Sequence, residues 1–254
     1  MKQYLMLLSF IFLFVNACSS VPITGRSRLL LSSESEEVAA GAASYKTFLS
    51  EAKISKDAAN GALVKKVGEK IAKTSGLSYD WEFTLVENDE ANAFCLPGGK
   101  VAVYTGILKY TKTEAGLATV MSHEIAHAVA RHGAERASQA QILQLGLSVG
   151  DTALSDNPNK DLILQGINVA GNVGVILPYS RKHESEADYM GLILMSKAGY
   201  NPNEAIAFWQ RMSAGGSGKQ DSITKFLSTH PTDEQRIKDL QKHLKEALTY
   251  YNKK

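Results

Sequence analysis

Thr119-Val-Met-Ser-His-Glu-Ile-Ala-His-Ala-Val-Ala-Arg-His132 is the stretch that decides how this chain is read. At its centre His123-Glu124-Ile125-Ala126-His127 forms an H-E-x-x-H pattern within a run of good helix formers. Residues four apart in a helix stand one above the other on the same face, so His123 and His127 can converge on one ion. Two imidazole nitrogens at about 2.0–2.1 Å from a zinc ion leave positions for a third ligand and a water. Glu124 lies about 100° round the helix from His123, within reach of that water as a general base. Leu117, Ala118, Val120, Met121, Ile125, Ala126, Ala128, Val129 and Ala130 make the segment apolar nearly all round, which marks a buried helix. Two histidines and a glutamate on a buried helix need partners for their polar groups, and a metal ion supplies one.

The chain has 254 residues, enough for one good-sized domain or two small ones. Its 44% hydrophobic and 21% charged residues suffice for a real core. A net charge of +2 gives no argument for a nucleic-acid partner or for strong attraction to anionic surfaces. The two cysteines, Cys18 and Cys95, form no C-x-x-C pattern, which excludes a cysteine-type structural zinc site and a disulfide framework.

Residues 1–17 read as an export signal. Lys2 supplies a short positive region, and Tyr4 to Val15 form an apolar core. That core is too short to span a bilayer, which takes about 20 residues. The run Val15-Asn16-Ala17-Cys18-Ser19-Ser20 resembles a bacterial lipoprotein processing site, at which Cys18 is acylated and becomes the mature N-terminus. Ser19 and Ser20 carry no acidic retention signal, so this resemblance favours a lipid anchor in the outer membrane, on the periplasmic face of the envelope. Residues 18–31 then read as an extended, lipidated tether. Cys95 would be a buried spectator.

Ser33 and Glu36 are spaced as a capping box, opening a helix through Val38, Ala42, Tyr45 and Leu49. A second helix is expected over about 57–73. Alternation over Trp81–Val86, then Ala91–Leu96, a turn at Pro97-Gly98-Gly99-Lys100, and Val101–Thr105 predict three short strands. An exposed edge of such a sheet can align an extended peptide through main-chain hydrogen bonds. The zinc helix is expected from Thr113 to Ser138. Two apolar pieces, about 142–154 and 161–177, are too short and Gly-rich for membrane spans and read as helices covering the active site as a mobile lid, with dipping into the membrane as the alternative. A helix from Arg181 to Lys197, ended by Gly199, and another after Pro202 follow. Gly215–Gly218 reads as a flexible loop, Phe226–Thr232 as a polar loop, and Asp233–Tyr250 as a final amphipathic helix.

The third ligand remains to be found. The extended metzincin spacing would need a histidine at 133 and a glycine at 130, which are Gly133 and Ala130. His132, five residues from His127, points off the ligand face and reads as a hydrogen-bonding helper. In Glu184-Ser-Glu-Ala-Asp188, Glu184 and Asp188 share one helical face, so Glu184 could bind the ion while Asp188 orients a ligand histidine from behind. Glu186 is the alternative ligand.

H-E-I-A-H followed by E-S-E-A-D resembles the gluzincin peptidases that include the CAAX prenyl proteases, the HtpX heat-shock peptidases and the mitochondrial Oma-type proteases. Asn92-Ala93-Phe94 with Pro97-Gly98-Gly99 and Thr105-Gly106 is similar to the edge-strand block of that family, and Ser228-Thr229-His230-Pro231 with Arg236 to its C-terminal block. The resemblance implies an α+β, mainly α fold: a helical metallopeptidase domain over residues 32–254, with a small three-stranded sheet whose edge faces the zinc helix. It implies one zinc ion held by His123, His127 and Glu184, with Glu124 as base and Asp188 behind a ligand. His230 and Arg236 become candidates for gating or substrate contact, and Asn92, Ala93 and Phe94 for the substrate strand. The chain lacks the long transmembrane helices of the CAAX proteases, so no prenylated substrate is implied. The nearest branch resembles exported bacterial lipoproteins that cleave unfolded or misassembled envelope proteins. The competing reading is a chaperone-like envelope assembly factor with gated or rare proteolysis.

Overall fold

The H-E-x-x-H segment folds as the buried helix that its composition requires. The computed structural model describes residues 18–215, 224–231 and 234–252, so the signal segment, the Gly216–Gly218 part of the expected loop, Thr232 and Asp233 lie outside the described residues. In chain order the elements are β1 (Cys18–Ser20), β2 (Ser27–Leu29), α1 (Glu34–Glu51), α2 (Ala58–Ala72), β3 (Glu82–Val86), β4 (Ala93–Leu96), β5 (Lys100–Tyr104), α3 (Thr105–Thr111) and α4 (Glu114–Val129). Then come α5 (His132–Ala153), α6 (Lys160–Gly171), a π-helical turn (Asn172–Ile176), α7 (Leu177–Lys197), α8 (Asn203–Gly215), α9 (Thr224–Thr229) and α10 (Glu234–Tyr251). The fold is mainly α with a small mixed sheet, as expected. It divides into two compact units, Glu34–Ala130 with Glu184–Lys254 and Met1–Ser33 with Arg131–His183.

The larger unit is built round α4. Thr113 caps its start by accepting a hydrogen bond from the Gly116 N–H, and nearly every residue from Gly116 to Val129 is buried. A helix apolar on all sides must be enclosed, and α4 is packed by α2, α3, α8 and β4. The sheet order is β3-β5-β4, with β5 parallel to β3 and antiparallel to β4. Gly98 and Gly99, at φ of +82° and +79°, make the turn between β4 and β5 that an L side chain would strain. β4 is the edge strand beside α4. The far edge, β3, is covered at its C-terminal end by the segment around Ile54, which bridges to Val86. Phe94 and Leu96 pack on a cluster of Tyr45, Val86 and Ala102, so alternation turns Ala93 and Cys95 to the other face.

Three stretches in or bordering the smaller unit depart from expectation. The zinc helix does not continue to Ser138: it stops at Val129, Arg131 adopts a left-handed conformation at φ 53°, and α5 begins at His132. The expected extended tether folds back as an antiparallel hairpin in which Cys18 pairs with Leu29. Its turn is made by Pro22, Ile23, Thr24 and Gly25, the last at φ +69°, and the Val21 N–H donates to the Arg26 carbonyl. The two apolar pieces are helical, as expected, and fall in α5, α6 and the π-helical turn; α5 and α6 pack where Leu143 fits against Gly171 and Leu164 against Gly150. α7 starts at Leu177, four residues before the expected Arg181, because the π-turn delivers the chain already helical.

Two further differences lie in the larger unit. α3 was not anticipated; its Gly106 sits where a Cβ would meet the Asp89 carbonyl at 2.2 Å. The segment expected as a polar loop from Phe226 carries the short helix α9, with the His230 N–H bonded to the Phe226 carbonyl at 2.8 Å.

Candidate metal centre

Gly191 brings the two chemistry-bearing helices together. A Cβ on it would stand 3.1 Å from the His123 nitrogen and 3.2 Å from its Cα, so glycine lets α7 cross α4 a few tenths of an ångström closer than a larger residue would. Glu184 and Asp188 lie seven and three residues before it, on the same face of α7, and both are buried against His123.

Four donor groups converge there: His123, His127, Glu184 and His230, with one candidate ligand atom from each lying within 4.8 Å of the others. His123 Nε2 is 3.1 Å from His127 Nε2 and 3.3 Å from Glu184 Oε2, and His127 Nε2 is 3.4 Å from Glu184 Oε1. Donors held about 2.0–2.1 Å from a shared ion at tetrahedral angles would lie about 3.3–3.4 Å apart. Each of the three separations is close to that spacing, the two to Glu184 being made to different oxygens of its carboxylate, and two imidazole nitrogens with a carboxylate are a donor set suited to a metal. Glu186, the alternative ligand, is buried but outside this cluster. His132 is outside it too.

Glu124 is buried beside the cluster, its Oε1 3.4 Å from His230 Nε2. The other ring nitrogen of His230, Nδ1, faces the donors, 2.9 Å from Glu184 Oε2 and 3.2 Å from His123 Nε2. Phe226 lies under the His230 ring at 4.6 Å. His230 thus stands between the candidate base and the donor face.

Behind His123, Asp188 Oδ1 lies 3.0 Å from Nδ1, off the line of a well-formed hydrogen bond. Arg236 donates to both oxygens of Asp188 and, through Nη1, to the Pro231 carbonyl at 2.7 Å. Its guanidinium sits 4.3 Å from the Trp209 ring, which also meets His123 edge-on at 5.5 Å. Burial alone would make His123 harder to protonate, but Asp188 and Glu184 outweigh it and raise the ring to about 10. Burial likewise opposes the charge on Glu184, yet the His123, His127 and His230 rings hold its carboxyl far below the usual range. Asp188 is held down too, against burial, by Arg236 and His123. The cluster carries its negative charge in the dry interior only because cationic or metal partners surround it.

Trp209 and the fork of Arg236 on Asp188 escaped the sequence reading, in which Trp209 was one apolar residue of a helix. The candidate substrate residues lie on or next to β4: the Asn92 side chain accepts from the Ala93 N–H, Phe94 packs against the Tyr45 cluster, and β4, an edge strand of the sheet, packs on α4. Cys95, on the same strand, is a free thiol whose pKa burial pushes up, aided by Glu124, so it stays protonated and inert at neutral pH.

The chain resembles known proteins along most of this framework. It is 42% identical over 185 residues to the mitochondrial metalloendopeptidase OMA1 of Schizosaccharomyces pombe, covering 72% of this chain and 53% of that one. Against the mitochondrial metalloendopeptidase OMA1 of Homo sapiens it is 32% identical over 97% of its own length and 50% of the relative's. A beta-barrel assembly-enhancing protease of Yersinia pestis is 28% identical over 66% of this chain and 35% of that protein. The chain thus spans about half or less of the length of these curated relatives. Residues 58–244, which contain every group of the metal centre described above, match the family described as Peptidase family M48, and the chain belongs to that family.

Proposed function

We propose that this protein is a zinc-dependent metalloendopeptidase of the bacterial cell envelope that hydrolyses unfolded or misassembled proteins. The observation that carries the reading is the convergence of His123 Nε2, His127 Nε2 and the Glu184 carboxylate at separations of 3.1 to 3.4 Å, with the Glu124 carboxylate beside them. Zinc is the ion that fits two imidazoles and a carboxylate with an open fourth position, and it would supply Lewis acidity toward a peptide carbonyl. Glu124 takes the proton from the attacking water and passes it to the leaving amine. Asp188 holds the His123 ring, and Arg236 holds Asp188. The edge of β4 aligns an extended substrate by main-chain pairing, which tolerates many sequences and suits unfolded clients. His230, with Nδ1 2.9 Å from Glu184 Oε2 and 3.2 Å from His123 Nε2, would fill the fourth position of a bound ion and would have to move aside for substrate. Membership of the M48 family, the relatives' endopeptidase names and the name of the beta-barrel assembly-enhancing protease support the activity and the quality-control setting.

The envelope location rests on the sequence: the apolar Tyr4–Val15 run and the Cys18 site support export and a lipid anchor in the outer membrane. The test is cleavage of casein or an unfolded envelope protein by wild type and Glu124→Gln at equal zinc content. Wild type should cleave and the variant should fall by about 10²–10⁴-fold. Equal activity in both would remove the peptidase reading and favour an assembly factor. Cys18→Ala should leave the membrane fraction; if it does not, the anchor is elsewhere.

A further inference from the structure

A second cluster of buried ionisable groups lies in the smaller unit, outside the metal centre. Glu135, on the first turn of α5, has about 2% of its surface exposed. A carboxylate there is tolerated only if paired. Arg26, from the turn of the N-terminal hairpin, gives it two parallel hydrogen bonds, Nη1 to Oε1 at 2.8 Å and Nη2 to Oε2 at 2.7 Å. His183 Nε2 approaches the same Oε2 at 3.0 Å. The His183 ring, fully buried, lies flat on His132 with centroids 4.2 Å apart and planes 14° from parallel. Burial would push the Glu135 carboxyl up, but Arg26 and His183 bring it down to about 2, so it is a fixed charge. Two more bonds fasten the N-terminal stretch to the same helix start: Leu31 N–H to Ser138 Oγ at 2.9 Å, and Arg131 Nη2 to the Ser32 carbonyl at 3.0 Å.

Chain connectivity gives this cluster its reach. His132 directly follows the left-handed Arg131 with which the H-E-x-x-H helix leaves off, and His183 directly precedes Glu184. The cluster therefore grips the chain at the exit from one donor-bearing helix and at the turn from which the other donor projects. We propose that Arg26, Glu135 and His183 are positioning residues, a brace that fixes the helical turn carrying Glu184 and so sets the affinity of the site for its metal. The proposal rests on the metal-site reading above. A functional site must hold its groups within about 0.5 Å and 10–20° of the working geometry, and ligand distances vary by only about 0.2 Å. Neighbours with no bond to the ion commonly matter 10–100-fold for that reason. On this account the N-terminal hairpin is a working part of the metal centre's support.

The test is zinc affinity by chelator competition on the full chain, for wild type, Arg26→Ala, Arg26→Lys, Glu135→Gln and Ser138→Ala. Ser138→Ala cuts a neighbouring fastening without touching Glu135, so it reports what general loosening does. Arg26→Ala and Glu135→Gln should bind zinc about tenfold or more weakly, Arg26→Lys should recover part of the loss, and Ser138→Ala should match wild type. Arg26→Ala binding zinc as tightly as wild type overturns the brace, as does a Ser138→Ala loss equal to that of Arg26→Ala. If Glu135→Gln fails to fold, the more exposed Arg26 pair still decides. A wild type that binds no zinc would instead sink the site reading, and the brace with it.

Discussion

Arg236 holds Asp188 by both carboxylate oxygens, Nε to Oδ2 at 2.7 Å and Nη2 to Oδ1 at 2.8 Å, while its third nitrogen holds the Pro231 carbonyl next to His230. One guanidinium thus supports the carboxylate behind a candidate ligand and the backbone of the candidate gate. A lysine cannot make that fork. Arg236→Ala should lower zinc affinity about tenfold or more, and the buried Asp188 left without its partner should cost about 3–5 kcal/mol of stability. Arg236→Lys should recover little of either. Chelator competition and thermal melts of the three proteins check this; wild-type affinity in Arg236→Ala would show that Asp188 needs no such support.

The ligand set makes a sharper prediction. Glu184→Ala and His127→Ala should each abolish stoichiometric zinc, whereas Glu186→Ala and His132→Ala should keep it, since neither residue belongs to the donor cluster. Elemental analysis after dialysis separates the cases. Zinc retained by Glu184→Ala and lost by Glu186→Ala would transfer the third position to Glu186.

These residues differ in how far they could be read from the chain alone. His123, Glu124, His127, Glu184 and Asp188 were legible because helical periodicity converts spacing directly into direction. The strands and the Gly98-Gly99 turn were legible because alternation and glycine are local signals. The end of the zinc helix was not. Ala130-Arg131-His132 contains no breaker, and the left-handed Arg131 is maintained by partners remote in sequence, such as the Ser32 carbonyl. The N-terminal hairpin escaped notice because a pair of three-residue strands is indistinguishable from extended chain until its turn closes. Trp209, the fork of Arg236 on Asp188 and the Arg26–Glu135–His183 cluster are tertiary pairings, for which no periodicity exists.

Glu135 also fixes a pH dependence. Its carboxyl stands near 4.5 when unpaired and is lowered to about 2 in the fold. A depressed carboxylate stabilises the fold fully above its unfolded value and loses that contribution as pH falls through the folded one. Wild type should therefore exceed Glu135→Gln in stability at pH 7, by about 2 kcal/mol allowing for imperfect pairing, and the gap should shrink by about half on approaching pH 3. Urea melts of both proteins at pH 7, 5, 4 and 3 measure it. A gap that stays constant over that range would mean that Glu135 contributes by shape and not by charge.

His230 gives the prediction with the clearest sign. Its Nδ1 lies 2.9 Å from Glu184 Oε2 and 3.2 Å from His123 Nε2, and its Nε2 lies 3.4 Å from Glu124 Oε1. One ring therefore touches the donors and the candidate base together, where a substrate carbonyl and the attacking water would have to fit. As a plug it lowers activity by the fraction of molecules in which the site is blocked. If about nine-tenths are blocked, His230→Ala should raise basal cleavage of an unfolded substrate about tenfold. As a group that stabilises the transition state, it would do the reverse, and the same substitution would lower kcat/KM. Zinc content must be matched between the proteins, because a lost ion imitates the second result. Arg236 supplies an internal control: with the Pro231 carbonyl released, Arg236→Ala saturated with zinc should shift basal cleavage in the same direction as His230→Ala. A metal-loaded His230→Ala slower than wild type would exclude the plug as the main role of this residue.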